Sequence, residues 1–170
     1  MGSMLRQNYA QLSIFTGLDD DMITQLSPFF EECALQKDHV IFRQGQPAEH
    51  FYILLEGEVE VDYKPYDGPL LPVARIEPGG VFGWSAAIGR DVYTSGALAL
   101  QDSKAFRLHR SSLSKICTLH PETGKIWLDR LASVIAVRLR STHAHVLEIL
   151  SRGKTIGYNY TNKEVDHERK

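Results

Sequence analysis

Between Cys33 and Leu108, apolar and polar residues alternate in short runs, and this pattern constrains the fold more than any other feature of the sequence. Turn-forming clusters separate the runs, for example Glu56-Gly57-Glu58 and Pro78-Gly79-Gly80. A period of two predicts β-strands, each with one buried face. The predicted strands are 40–42, 51–55, 59–63, 71–76, 97–100 and 105–108. Short strands at this spacing favour a β-sandwich or a rolled barrel.

Helical periodicity flanks this β-segment on both sides. From about Leu5 to Phe30 we expect helical pieces, with an N-cap and acidic first turn at 19–21 and an end or kink at Pro28. After the strands, Pro121 begins a predicted helix of about 30 residues, roughly 45 Å long. Its apolar stripe consists of Leu128, Leu131, Ile135, Leu139, Thr142, Val146 and Ile149. We expect one domain at 5–152, comprising a β-domain, a sandwich or a rolled barrel, at about 33–108 and C-terminal helices at about 110–152, then a polar tail at 153–170.

Composition argues against several classes of protein. The net charge of −2 gives no broad positive field for nucleic acids. No apolar run approaches the roughly 20 residues that span a bilayer, and the N-terminus lacks a secretory pattern. Cys33 and Cys117 lie far apart, without CxxC spacing, which favours a reduced cytoplasmic setting and no metal site.

A glycine-rich turn is the candidate ligand site. Two glycines end one apolar run, the short element Val81-Phe82 follows, and Gly83 then leads into small, helix-compatible residues. A strand, a glycine turn and a short helix together expose free backbone amides, which bind anions. The sequence therefore predicts an anion pocket that begins at Gly83.

Three segments, taken in order, resemble the cyclic nucleotide-binding domain family over about residues 12–150. They are 14–18 (IFTGL), 40–61 (including VIFRQGQPA, YIL and GEVEV) and 80–83 (GVFG). The resemblance implies a mainly β fold: a β-roll of the jelly-roll type, with an N-terminal helical bundle and a long C-terminal helix. The segment FGWSA, residues 82–86, is similar to a bacterial single-domain branch of the family. The resemblance also implies a regulatory role without enzymatic activity.

The resemblance breaks at the two residues that would hold a charged ligand. In the family, the phosphate-binding cassette consists of Phe-Gly-Glu, then a short helix, then Arg followed by a small residue. The Glu accepts a hydrogen bond from the ribose 2′-hydroxyl, and the Arg contacts the cyclic phosphate. Matched without gaps, Trp84 stands at the Glu position, Tyr93 at the Arg position and Thr94 beside it. Losing a charged partner costs about 2 kcal/mol of binding, tens-fold in affinity.

The candidate ligand-binding residues are Phe82, Gly83, Trp84, Ser85, Ala86, Arg90, Tyr93 and Thr94. The amides at 84–86 would meet the phosphate of a cyclic nucleotide such as cAMP, with the Thr94 hydroxyl helping and Arg90 supplying charge. Four of them have a structural alternative: Trp84 fills the core, Ser85 and Thr94 cap the short helix or satisfy backbone groups, and Arg90 is solvated. No cofactor is expected.

Two functions fit these features. In the first, a nucleotide or other small molecule enters the pocket and shifts the long helix. In the second, the pocket is vestigial and the chain is an interaction or dimerisation module. In either case we expect a homodimer through the long helix. We expect no direct DNA binding, because only a short polar tail follows Gly153.

A cupin-type metal enzyme is the remote alternative. The run from His50 to Gly57 is similar to the start of a cupin metal motif, but no His-x-His follows it. His50 is expected at the surface or in a turn. His143 and His145 are two apart on a predicted helix, so they do not face each other. Neither a Gly-x-Ser-x-Gly elbow nor a P-loop occurs in the sequence, so we expect no catalytic residues and no metal.

Overall fold

The computed structural model describes the backbone of residues 12–161 and the side chains of 12–145, 147, 148 and 151. The strands are β1 (Phe30–Leu35), β2 (Val40–Phe42), β3 (His50–Glu56), β4 (Val59–Tyr63), β5 (Leu71–Ile76), β6 (Val81–Phe82), β7 (Gly96–Ala99) and β8 (Ser103–His109). The α-helices are α1 (Asp20–Leu26), α2 (Arg110–Leu119) and α3 (Pro121–Thr161), and Ser13–Phe15 and Ser27–Phe29 are 3-10 turns.

Within residues 12–161 the eight strands form two four-stranded sheets. One sheet has the order β1-β8-β3-β6 and the other has the order β2-β7-β4-β5, and every pairing is antiparallel. Sequence neighbours such as β2 and β3 lie in different sheets, so the chain winds back and forth between the two layers. This β-roll with helices at both ends confirms the predicted fold class.

Strand β3 is buried on both faces, and it separates two apolar clusters. Tyr52 and Leu54 belong to the inner core, which lies between the two sheets. Phe51 and Ile53 belong to the outer core, where the first sheet packs against the N-terminal segment, α2 and the first half of α3. Because successive strand side chains point to opposite faces, one strand supplies both clusters.

The first strand departs from the predicted helical region. Asp19 caps α1 as expected, with its Oδ1 accepting from the Met22 amide at 2.8 Å. The helix ends at Leu26, a 3-10 turn containing Pro28 follows, and Phe30 pairs with Leu108 in β1. The prediction of helix up to Phe30 was therefore wrong. Pro28 has no backbone N–H to donate within a helix, and the residues from Phe30 onward pair with β8 as an edge strand.

Helix α3 continues to Thr161, so the expected helix end near residue 152 was also wrong. Gly153 costs a helix about 1 kcal/mol relative to alanine, and α3 continues through it without ending there. The chain divides into two compact units after Ala136. In the first, Leu131 and Ile135 are buried; in the second, Leu139 and Leu147 are exposed. The stripe residues Leu128 and Thr142 are half-buried, and the side chains of stripe positions 146 and 149 lie outside the described residues. No helix between residues 12 and 161 is long and apolar enough to cross a membrane.

Candidate functional site

The loop from Gly83 to Ser95, called here the cassette loop, connects β6 to β7. At its first residue, Gly83, the backbone of the loop lies close to the backbone of β3. Gly83 has φ +71°, and a Cβ at this position would lie 2.9 Å from the His50 carbonyl oxygen and 3.0 Å from Cδ2 of Tyr52. Both the positive φ and the lack of space require glycine here. The predicted glycine turn therefore exists and holds the loop against β3.

The predicted short helix after Gly83 is instead a series of turns. The Ala87 amide donates to the Trp84 carbonyl at 2.9 Å, the Ile88 amide donates to the same oxygen at 3.0 Å, and the Arg90 amide donates to the Ser85 carbonyl at 3.0 Å. These bonds span three, four and five residues, so no regular helix forms. Gly89, at φ +77°, then turns the chain out of the helical region.

Two of the three amides predicted to meet a phosphate have no acceptor in the part of the chain that the structure describes. Among the described residues, the Trp84 and Ser85 amides make no hydrogen bond, whereas the Ala86 amide donates to the Gly83 carbonyl at 3.2 Å. The prediction of a free amide at Ala86 was therefore wrong, because the turn itself uses it. A donor pair after a left-handed glycine remains, and such pairs bind anions.

The side chains of Ser85 and Thr94 connect the two ends of the cassette loop. Ser85 is buried and its Oγ accepts from the Thr94 amide at 3.3 Å. The two hydroxyl oxygens are also 3.3 Å apart. Thr94 is exposed. This geometry matches the structural alternative for Ser85, which satisfies a backbone group of the loop, and it leaves the Thr94 hydroxyl within reach of solvent.

Tyr93, at the position of the family's arginine, lies in the inner core. Its ring stacks on Phe42 with centroids 3.8 Å apart and planes 13° apart. Its hydroxyl donates to the His50 carbonyl at 2.7 Å and accepts from the His50 amide at 3.1 Å. Burial raises the pKa of Tyr93, so the phenol stays protonated and neutral in ordinary solution. This position therefore contributes a ring and no positive charge.

The other residues of the predicted set point in different directions. Phe82 and Ala86 lie in the inner core, and Phe82 stacks on Tyr52 at 4.9 Å. Trp84 is half-buried and packs against the outer core, which fits its structural alternative. The structure thus separates Trp84 and Tyr93, the two aromatic replacements, into different clusters.

Arg90 is the cation of the cassette loop. It is exposed, and among the described residues no ion pair joins its guanidinium to a carboxylate. The neighbouring carboxylate of Asp91 instead lies 3.7 Å from the guanidinium of Arg110. Arg90 is therefore available to an anionic ligand that reaches the loop from solvent.

Sequence reasoning missed two residues that shape this site, Phe42 and His50. Phe42 reads as an ordinary strand residue, and nothing in the one-dimensional pattern indicates its stacking on the loop. His50, expected at the surface or in a turn, begins β3 and is half-buried. Burial, then Arg107 and His109, lower the pKa of His50. Within the described residues, no three His, Cys, Asp or Glu side chains gather as metal ligands.

Comparison with known proteins places this loop in a family. The CRP-like cAMP-activated global transcriptional regulator of Mycobacterium tuberculosis is 24% identical over 141 residues, covering 83% of this chain and 61% of that protein. The cGMP-dependent protein kinase egl-4 of Caenorhabditis elegans is 27% identical over 138 residues, covering 78% of this chain and 18% of that protein. The chain thus spans only part of these curated relatives.

A solved cyclic nucleotide-binding domain from Methylobacillus flagellatus has the same fold. Its TM-score is 0.76 at 18% identity, over 86% of this chain and 83% of that one. The family model described as the cyclic nucleotide-binding domain matches residues 32–120, just over half of the 170 residues, from within β1 to the end of α2. The chain therefore belongs to the cyclic nucleotide-binding domain family.

Proposed function

We propose that this chain is a regulatory, nucleotide-sensing module whose cassette loop has weakened or altered ligand specificity. The observation that carries the proposal is the turn at Gly83, followed by the amides of Trp84 and Ser85 without acceptors among the described residues. Family members that sense cyclic nucleotides hold the phosphate at this loop. The retained turn supports binding of a phosphate-like group in the same place.

The altered specificity follows from Trp84 and Tyr93. No carboxylate stands at position 84 to accept from a ribose hydroxyl, and no guanidinium stands at position 93 to pair with a cyclic phosphate. The Tyr93 hydroxyl cannot substitute, because both its hydrogen bonds go to the His50 backbone. We expect ordinary cyclic nucleotides to bind tens-fold more weakly than to members with both charged residues.

Arg90 is the proposed source of positive charge for the ligand. Its exposed position places it on the solvent side of the loop, whereas Tyr93 occupies the inner side. A phosphate held by the amides and by Arg90 would be bound closer to the surface than one held by a residue at position 93. A charge-assisted contact of this kind is roughly twice as strong as a neutral hydrogen bond.

The proposed response is a change in the population of α3 positions. A ligand can produce it only by binding more tightly to one position than to another. We further propose that the module acts without enzymatic activity of its own, in the cytoplasm and without direct DNA contact. These three points stay predictions.

A thermal-shift panel tests whether any ligand binds. The probes are cyclic AMP, cyclic GMP, cyclic dinucleotides and ordinary nucleotides. A ligand at 100 times its dissociation constant adds about 2.7 kcal/mol, a shift of several degrees for a domain of this size. Absence of any shift across the panel would refute the sensing proposal.

Two matched arginine variants then test the site. For a ligand found in the panel, we expect Arg90→Ala to weaken binding about tenfold, the equivalent of one charge-assisted contact. Arg140→Ala, which removes another exposed arginine, from α3, should leave the affinity unchanged. Equal effects of the two variants would place the ligand away from the cassette loop.

The second candidate function is a vestigial pocket in a dimerisation or interaction module. It is favoured by the inner core, in which the rings of Phe42, Tyr52, Phe82 and Tyr93 stack on one another. These rings occupy the interior of the roll. Apolar side chains of α3 are exposed at Val137, Leu139 and Leu147, and a second copy of α3 would cover them.

Light scattering of two α3 variants tests this second function. The wild-type chain is expected to be a dimer. Leu139→Glu places a charge among the exposed apolar residues and should give the monomer mass, whereas Ser141→Glu, at an exposed polar position, should not. An unchanged mass for Leu139→Glu would show that this helix is not the interface.

A further inference from the structure

The cassette loop exposes an apolar side chain on each side of Arg90. Ile88 is 56% exposed and Val92 is 44% exposed, and each lies two positions from Arg90, which is exposed as well. Two residues of chain span at most about 7 Å, so both Cα atoms lie within that distance of the Arg90 Cα. A single exposed apolar residue is ordinary on a protein surface. Here two of them flank a guanidinium that pairs with no carboxylate in the described chain.

Hydrogen bonds connect this segment to the residues with free amides. The Ile88 amide donates to the Trp84 carbonyl at 3.0 Å, and the Arg90 amide donates to the Ser85 carbonyl at 3.0 Å. Trp84 and Ser85 are the two residues whose own amides find no acceptor between residues 12 and 161. The amide pair, the guanidinium and the Ile88 side chain therefore belong to one closed set of turns. A ligand bound at the amides would have Ile88 and Arg90 as its neighbours.

The far end of the segment is also fixed by backbone contacts. Val92 forms an isolated antiparallel bridge with Pro47, and the Ala48 amide donates to the Asp91 carbonyl at 2.9 Å. The β2–β3 connection thus holds this part of the loop in an extended form. Because the backbone is already ordered, a ligand would not have to order it on binding, which favours affinity.

The inner side of the loop is already occupied. The buried Tyr93 ring stacks on Phe42, and its hydroxyl is committed to the His50 backbone. The uncharged part of a ligand therefore has the outer side of the loop available, where Ile88 and Val92 are exposed. One acidic group, the Asp91 carboxylate, is also exposed there, but it lies 3.7 Å from the guanidinium of Arg110, which offsets its charge.

We propose that the cassette loop binds phosphate esters whose uncharged part is apolar. The phosphate accepts from the Trp84 and Ser85 amides and pairs with Arg90, and the apolar part covers Ile88 and Val92. This inference rests on the anion-binding turn of the proposed function and names the class of ligand that the turn takes. Complete burial of one methylene raises affinity about fourfold. A chain lying on an open surface is only partly buried, so we expect at least about a tenfold gain from methyl phosphate to hexyl phosphate.

Nitrogen-15 NMR titration with methyl phosphate and hexyl phosphate tests the inference. Both esters should shift the Trp84 and Ser85 amide resonances, and hexyl phosphate should have a dissociation constant at least about tenfold lower. Ile88→Ser should reduce this gain to less than about threefold, because it removes apolar surface beside the phosphate. Leu119→Ser is the matched control, since Leu119 is 64% exposed on α2, and it should keep the tenfold gain. Both positions are exposed, so neither variant removes a core side chain.

The outcomes separate this inference from the proposed function. Equal dissociation constants for the two esters, or a gain that Ile88→Ser leaves intact, would overturn the inference while the anion site remains. Failure of both esters to shift the Trp84 and Ser85 amides would overturn the anion site as well.

Vesicle binding then identifies the source of the ester. Co-sedimentation with phosphatidylcholine vesicles that contain phosphatidic acid, but not with phosphatidylcholine alone, would identify a lipid headgroup. Chain-length gain in solution without vesicle binding would identify a free ester. Either result, together with the gain, supports the inference.

Discussion

Removing one oxygen atom from Tyr93 should loosen the attachment of the cassette loop to β3 without disturbing the inner core. Tyr93→Phe keeps the ring that stacks on Phe42 at 3.8 Å but removes the hydroxyl that bonds the amide and carbonyl of His50 at 3.1 and 2.7 Å. Each hydrogen bond contributes about 0.5–1.5 kcal/mol net. Because these groups are partly buried, water replaces the lost partner incompletely. We expect a total cost of about 1–2 kcal/mol.

For a domain of this size, that cost lowers the melting temperature by about 3–8 °C, as measured by calorimetry or circular dichroism. Tyr66→Phe is the matched control, because Tyr66 is fully exposed in the β4–β5 connection and should lose less than about 0.5 kcal/mol. A Tyr93→Phe variant no less stable than Tyr66→Phe would refute the reasoning. It would mean that the hydroxyl does not hold the loop to β3.

Two further predictions concern the turn and the first sheet. Gly83→Ala should destabilise the domain by several kcal/mol in urea unfolding, because its Cβ would lie 2.9 Å from the His50 carbonyl oxygen at a positive φ. The control Gly45→Ala has open space around it and should cost only the strain of its positive φ. Equal losses of stability in the two variants would show that Gly83 does not pack tightly against β3. Hydrogen bonding to Arg107 is the main cause that lowers the pKa of Glu31, so this pair stabilises the fold above the unfolded value near 4.5 and less as the pH falls through the folded pKa. Glu31→Gln should therefore flatten the acid limb of the stability profile, and an unchanged limb would show that the pair is not formed in solution.

Alternation alone predicted β2, β4 and β5 with the bounds that the structure has. Each of those strands has one apolar face, so apolar and polar residues alternate along its sequence. Strand β1 was missed, because Glu31 and Glu32 are exposed at the edge of a sheet and break the alternation. Strand pairing with β8, about 70 residues later in the chain, is what makes that segment extended.

The sequence by itself determined that the middle of the chain forms a β-sandwich or a rolled barrel and that a glycine turn follows Phe82, because period-two burial and the tolerance of glycine for positive φ are properties of neighbouring residues. Only the tertiary structure decided what the loop does with its two aromatic replacements. Tyr93 lies in the inner core because the His50 backbone, 43 positions earlier, offers its hydroxyl both a donor and an acceptor. Trp84 lies on the outer core because the first sheet and the helices meet there. The side of the sheet that each ring occupies depends on contacts between distant parts of the chain, and these have no signature in local sequence.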